Sequence, residues 1–273
     1  MPSFNTNIDA LKAQNALTTS SLALTKSVAQ LASGLRVNSA ADDAASSAIG
    51  SQMSAKILGL NQAVRNANDG ISMLQTADGA TQVMADMLVR MRELATQASN
   101  DTYDTTGRDA LNAEFTELKS AMTSVIQNTK WNGKGLLDGT TASAIYQVGA
   151  SGVATDGVTV NFSSLSSLNV LGGSTAISSR ADAQTVLGHV ETDLNTISSN
   201  RAAWGAAMNR LTHAAGNSAN VSMNLSSSKS QLLDADYAKA TADLARAQIV
   251  QAAGTAMLSQ ANQQGVMVLH LLS

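Results

Sequence analysis

The chain has 273 residues, enough for one or two domains with a buried core, and it contains no cysteine. That excludes a disulfide framework and thiolate-ligated zinc or iron–sulfur centres. With 3 Phe, 2 Trp, 3 Tyr and a net charge of −3, it also lacks the base-stacking rings and basic surplus of a nucleic-acid binder. Hydrophobic residues still make up 44%, so the apolar content is mostly aliphatic and alanine, and the single proline, Pro2, leaves the rest of the chain free to run as long helices.

At the N-terminus, MPSFNTNIDALKAQNAL has no basic segment followed by an apolar one, so no cleavable secretory signal is expected. Residues 13–25 carry no charge, and the first helical stripe is Leu24, Val28, Leu31 and Leu35. Gly34 and Asn38 fall at a break in helical pattern. Asp42-Asp43 either favours the start of the next helix or belongs to a plain solvated turn. The stripe resumes as Ile57, Leu60, Val64, Ala67, Ile71 and Leu74, is expected to slip in phase around Asp78-Gly79, and continues as Met84, Leu88, Met91, Ala95 and Ala98. A turn at residues 100–104 precedes a third stripe, Leu111, Phe115, Leu118, Met122 and Val125.

Asn132-Gly133-Lys134-Gly135 reads as a turn, Ile145–Val148 as a short strand, and Val158, Val160 and Phe162 alternate as in a half-buried strand. Asp156 is the only charge in residues 140–179, which are rich in Gly, Ser and Thr. Helical spacing returns at Val190, Leu194, Ile197, Trp204, Met208, Leu211 and Ala215. A last seam of small residues is expected at Ala242, Ala245, Ile249, Ala252 and Ala256. Residues 247–273 carry no formal charge, yet six Gln and Asn side chains interrupt them, against a membrane span. The expected fold is mainly α: an elongated helical hairpin or bundle with coiled-coil terminal helices and a small β-rich tip near 130–180. Uncharged, glutamine-rich ends call for a covering partner, which suits a polymer subunit better than an enzyme.

Several segments carry a family resemblance: Asn5–Asn7, Ser33-Gly34-Leu35-Arg36-Val37-Asn38-Ser39-Ala40-Ala41-Asp42-Asp43, Arg65–Ser72, Arg90-Met91-Arg92-Glu93-Leu94-Ala95, Asp236-Tyr237-Ala238, Arg246–Ile249, Gln251–Thr255, Gln260–Gln263 and Val268–Leu272. In order and spacing they resemble bacterial flagellin, the subunit of the flagellar filament, in a short form with almost no variable outer domain. The resemblance implies that 1–44 and 233–273 pair as helices of the inner filament core, and that 45–232 form a rod-like helical domain with its tip around 130–180. It implies inter-subunit core contacts at Leu24, Val28, Leu31, Leu35, Ile249, Leu258, Val268, Leu269 and Leu272, and an inner–outer junction at Gly34, Asn38, Asp42 and Asp43. Gly265 departs from the family, which commonly has proline there.

The implied function is a subunit that polymerises into the extracellular filament for swimming, its termini ordering on assembly. The implied partners are further copies and other flagellins, the flagellar type III export apparatus, a flagellin secretion chaperone, and the hook–filament junction and filament cap proteins. A surface of Arg90, Leu94 and Glu114 is further expected to meet the flagellin-sensing host Toll-like receptor. The alternatives are a surface adhesin or polysaccharide-binding protein on the same scaffold, reading glycans at 140–180, and the hook–filament junction protein. No nucleic acid, membrane span, cofactor, metal site or catalytic residue is expected: His189, His213 and His270 stand in separate segments, no H-E-x-x-H pair or phosphate loop occurs, and the pairs Asp234/Asp236 and Glu191/Asp193 read as surface features. Asn66–Gly70 has calcium-loop residue types without the EF-hand spacing.

Overall fold

The computed structural model describes residues 6–153, 156–173 and 175–270, with side chains described as far as residue 263. The element order is α1 (Ile8–Ser33), α2 (Ala44–Ala98), α3 (Thr105–Asn128), β1 (Lys130–Trp131), β2 (Lys134–Gly135), β3 (Ser143–Gln147), β4 (Gly157–Asn161), a 3-10 turn (Asn169–Leu171), α4 (Arg180–Leu233) and α5 (Tyr237–His270). The fold is mainly α with two small antiparallel β pairs, β1–β2 and β3–β4. It divides into two compact units. One comprises Met1–Ala55 and Asn224–Ser273, the other Lys56–Met223.

The unit of residues 56–223 holds the main core. Along α2 the inward positions are Leu60, Ala63, Ala67, Gly70, Leu74, Ala77, Thr81, Met84, Leu88, Met91, Ala95 and Ala98, half-buried at Leu60 and buried beyond it. These alternate at spacings of three and four without interruption, so the expected slip at Asp78-Gly79 does not occur. The apparent slip comes from composition: Gly70 and Thr81 take seam positions that a hydrophobicity pattern does not count.

Asp104 caps α3, its carboxylate accepting from the Gly107 N–H at 2.7 Å. Arg108 of the same helix donates to the carbonyls of Ala98 and Asn100, closing the exposed end of α2. Asp101, in the turn between α2 and α3, also pairs with Arg180 at 2.6 Å. From the facing side, Phe115, Met122 and Ile126 of α3 and Val186, Val190, Ile197, Trp204 and Leu211 of α4 fill the core.

The β pairs sit on this helical core. Asn132 and Gly133 have φ of 47° and 79°, the two left-handed residues that a two-residue turn between twisted strands requires. In the second pair, Ile145 lies opposite Thr159 and Tyr146 opposite Val158. The Tyr146 ring lies against Gly70 so closely that a Cβ there would stand 2.8 Å from the ring, and its hydroxyl donates to Met73 Sδ. Burial pushes the Tyr146 phenol up to about 12. Asn66 Nδ2 and Ser218 Oγ donate to the carbonyls of Gln147 and Val148, and Trp204 Nε1 donates to that of Asn161. Asn66 and Gly70 thus hold the strand pair, and no His/Cys/Asp/Glu group suited to a metal ion occurs among the described residues.

Asp193 is the second departure. Instead of standing on the surface beside Glu191, it is 1% exposed and aligned with the α4 core positions. Its Oδ1 accepts from the N–H and Nδ2 of Asn169, and its Oδ2 accepts from the Val170 N–H at 2.8 Å. A buried carboxylate requires such partners, and the 3-10 turn supplies its free N–H groups.

The unit of residues 1–55 and 224–273 is built on antiparallel pairing of α1 with α5. Ser20 Oγ donates to the Ala247 carbonyl at 3.0 Å and Asn7 Nδ2 to that of Ala261 at 2.9 Å. On α1 the seam is Leu17, Ser20, Leu24, Ser27 and Leu31; on α5 it is Ala240, Leu244, Ala247, Gln251, Gly254, Leu258 and Ala261. A Cβ on Gly254 would come within 3.0 Å of Leu17, so the leucine fills the space glycine leaves. Here the expected seam is wrong. Ala242, Ala245, Ile249, Ala252 and Ala256 are all exposed, two positions out of phase with the real one. In a helix with alanine on every face, periodicity does not select a phase, and packing against α1 does.

No helix among the described residues is long and apolar enough to cross a membrane.

Candidate assembly site

The expected junction residues come together within the unit of residues 1–55 and 224–273. α1 ends at Gly34, whose φ of 71° is the left-handed cap that glycine accepts without strain. The chain then crosses the α4–α5 connection. Leu35 pairs with Asp234, the Arg36 N–H donates to the Leu233 carbonyl at 2.7 Å, and the Ala235 N–H donates to that of Gly34 at 2.9 Å. The Arg36 guanidinium adds a bond to the Leu232 carbonyl at 2.6 Å. Both helical arms therefore leave from one small cross-braced bridge.

Asn38 reaches back, its Nδ2 donating to the Ala29 carbonyl, and Asp42 gathers the loop. Asp42 Oδ2 accepts from the N–H groups of Asn38 and Ser39 and from the Ser39 hydroxyl, while its Oδ1 pairs with Lys26 Nζ at 2.9 Å. The Lys26 ammonium, with the Ser39 backbone bond next in weight, holds the Asp42 carboxyl down at about 2. Asp43 is also lowered, chiefly by the Ser46 hydroxyl, and accepts from the Ser46 N–H to start α2. Of the two readings of Asp42-Asp43, the structure shows the helix start at Asp43 and a loop clasp at Asp42.

A folded-state pKa below the unfolded value means that the Asp42 contacts contribute fully above about pH 4 and are lost as pH falls toward about 2. Asp42→Asn should therefore remove part of the acid sensitivity of the α1–α2 loop between those values. Residue-resolved amide exchange at Asn38 and Ser39, compared between wild type and variant at about pH 5 and about pH 2.5, measures this: the wild type should lose protection on acidification more steeply than the variant.

The expected inter-subunit residues fall into two groups. Leu24, Leu31 and Leu258 are half-buried in the α1–α5 seam, and Leu35 is half-buried at the bridge. Val28 and Ile249 point away from it, 49% and 69% exposed. Ile8, Leu11 and Leu22 of α1 and Val250 and Met257 of α5 are exposed as well, so each arm carries apolar side chains beyond those its partner helix covers. The side chains of Val268 and Leu269, and Leu272 altogether, lie outside the described residues. Between α1 and α5 runs an open groove of about 720 Å³, lined by residues that include Ala16, Ala23, Ala247, Lys26, Lys239 and Arg246.

Buried Ser20 and Ser27 in this seam escape the apolar pattern. The signal that marks the α5 face is small residues seven apart, Ala240, Ala247, Gly254 and Ala261.

In the other unit, Arg90 joins two helices. Its guanidinium pairs with Glu93 at 2.9 Å and with Glu114 of α3 at 2.8 Å, and these carboxylates, Glu93 foremost, raise its pKa further. All three are about half exposed. Leu94, expected on the same surface, is 1% exposed and packs in the core, because it lies on the inward side of α2 beside Met91 and Ala95. The aromatics that glycan binding near 140–180 would need are also occupied: Phe162 is 3% exposed with its centroid 5.9 Å from that of Trp204, and Tyr146 is packed on Gly70.

Residues 4–142 match the family model of the bacterial flagellin N-terminal helical region, and residues 187–272 match that of the bacterial flagellin C-terminal helical region. The chain belongs to the bacterial flagellin family. It is similar to flagellin of Halalkalibacterium halodurans, 40% identical over 90% of this chain and 91% of the relative, and to flagellin of Bacillus subtilis, 36% identical over 98% and 99%. Among solved structures, Bacillus cereus flagellin is similar at 34% identity with a TM-score of 0.52, covering 56% of this chain and 88% of that one. Flagellins are structural proteins of the flagellar filament, and the chain is accordingly a structural subunit and not an enzyme. The 273-residue length fits a short flagellin.

Proposed function

We propose that the chain polymerises with further copies of itself through α1 and α5, and that these arms gain their full helical order on assembly. The observation that carries this reading is the pair of exposed apolar sets on helices whose shared seam mixes five leucines with alanine, glycine, serine and glutamine. Those leucines are only half-buried by the partner helix, so the two arms stabilise each other incompletely, and neighbouring subunits would supply the missing burial. Residues 1–44 and 233–273 would form the inner core of the filament, and residues 45–232 the surrounding rod.

Export through the flagellar type III apparatus with a secretion chaperone, and contact with the junction and cap proteins at the filament ends, belong to the same reading, as does an extracellular position in the filament. Electron microscopy of the purified chain under polymerising conditions tests it: filaments are expected, and their absence shifts weight to the junction-protein reading. Far-ultraviolet circular dichroism tests the ordering. The filament should show clearly higher helicity per residue than the monomer, and equal values would sink the coupling.

A second role concerns the released subunit. Arg90 with Glu93 and Glu114 forms a compact, half-exposed charge cluster at matching positions of the family's receptor-recognised surface, so we infer that the flagellin-sensing Toll-like receptor reads it. Arg90→Ala should raise the dose for half-maximal signalling in a receptor reporter cell by about tenfold, the cost of one charge-assisted pair at an interface. An unchanged dose response removes Arg90 from that role.

A further inference from the structure

Among the described residues the methionines range from sealed to open to solvent, with Met53, Met87 and Met208 half-buried between the extremes. Met73, Met84, Met91 and Met122 are sealed in the core of the residue 56–223 unit, none more than 6% exposed. Met257 is 64% exposed on α5, one residue from the outward Ala256 and three beyond seam residue Gly254. It lies on the same helix face as Val250, seven residues earlier and 46% exposed at the edge of the α1–α5 groove, with Ile249 on the outward face beside it. An accessible thioether within an apolar contact set differs from a buried one in a single respect that matters chemically: a peroxide can reach the sulfur.

We propose that Met257 is a redox-sensitive assembly residue, whose sulfoxidation in the free subunit blocks addition to the filament. The proposal rests on the reading of α5 as an inter-subunit surface. In the reaction the Met257 Sδ lone pair attacks one oxygen of hydrogen peroxide and the O–O bond breaks. The sulfur gains that oxygen and is oxidised by two electrons, while the other oxygen leaves and, after proton transfer, forms water. A flexible apolar side chain becomes a polar sulfoxide that must be desolvated when a neighbouring copy covers it. Incorporation into a filament shields the same sulfur, so the residue is reactive only before assembly. Reduction by methionine sulfoxide reductases reverses the change.

The test uses the full chain. Monomer is treated with hydrogen peroxide, its methionines are mapped by peptide mass spectrometry, and its elongation on preformed seeds is timed. Met257 and the equally exposed Met223 should take up oxygen while Met73, Met84, Met91 and Met122 do not. Oxidised monomer should elongate at least about tenfold more slowly. Met257→Leu should elongate at a rate that peroxide treatment does not change, a Met223→Leu control should remain peroxide-sensitive, and the two classes of sulfoxide reductase together should restore the oxidised wild type. Undiminished elongation of protein carrying the Met257 sulfoxide overturns the proposal, as does equal inhibition of Met257→Leu. Untreated wild type that does not elongate on seeds overturns the filament reading itself, and this proposal with it.

Discussion

Asp193→Ala should destabilise the residue 56–223 unit by about 3 kcal/mol. The substitution leaves the buried Val170 N–H without its acceptor, at a cost of roughly 1–3 kcal/mol, and removes the charge-assisted bonds from the N–H and amide of the exposed Asn169, where water replaces part of the loss. For a unit of this size the expected fall in thermal midpoint is roughly 6–12 °C. Thermal unfolding followed by near-ultraviolet circular dichroism measures it, since the buried Trp204 reports the core directly. Asp193→Asn keeps the shape and one acceptor but turns an amide N–H₂ toward a backbone donor, so its loss should fall between wild type and alanine. A loss below about 0.5 kcal/mol for the alanine variant would mean that the 3-10 turn draws its order from elsewhere, such as Lys119, whose ammonium donates to the Gly172 carbonyl at 2.6 Å.

The second large effect is on assembly. Ile249→Asp changes a side chain that is 69% exposed in the subunit, so the monomer's stability should move by no more than about 0.5 kcal/mol. If neighbouring copies cover that position, the same change buries an unpaired carboxylate at the contact and should cost about 3–5 kcal/mol there. Seeded elongation would then fall by about a hundredfold or more, roughly what 3 kcal/mol implies for an equilibrium. The pairing of a near-silent monomer phenotype with loss of elongation is the signature sought. Normal filament growth by the Ile249→Asp variant would place Ile249 outside the contacts.

Much of the architecture can be read from the residues, and the reasons for the rest are physical. The α3 stripe from Leu111 to Val125 and the alternation of Val158, Val160 and Phe162 match the structure because large apolar and small polar residues differ sharply there, whereas on β3 the apolar Ile145 is 70% exposed. The α2 seam is also legible at its large residues. Its continuity is hidden at Gly70 and Thr81, where a strand pair and a core position accept what a hydrophobicity count rejects. α5 offers little contrast, since alanine is equally tolerable inside and outside and large apolar residues stand on both faces, Leu244 and Leu258 covered but Ile249 and Met257 exposed; the serines and leucines of α1 and its cap Asn7 decide which alanines are covered. Asp193 reads as a surface carboxylate because nothing local distinguishes it; its partners lie 23 and 24 residues away. At the junction, Gly34, Asn38, Asp42 and Asp43 stand out by residue type, whereas Arg36 and the Leu35–Asp234 bridge depend on the α4–α5 connection. Leu94 shows the converse limit: a family motif groups it with Arg90, but its side chain faces the other way.

The seam between α1 and α5 has a mechanical consequence. A slide of one heptad, about 10 Å of travel, would lift Leu17 out of the space at Gly254 and break both the Ser20 bond to Ala247 and the clasp of Asn7 on Ala261. With the bridge of Leu35 and Asp234 fixing the other end, the register is pinned at points spread along the whole length of the arms. Shear along these helices would therefore be shared among those points, so under tension the arms behave as a riveted strip and not as a slider.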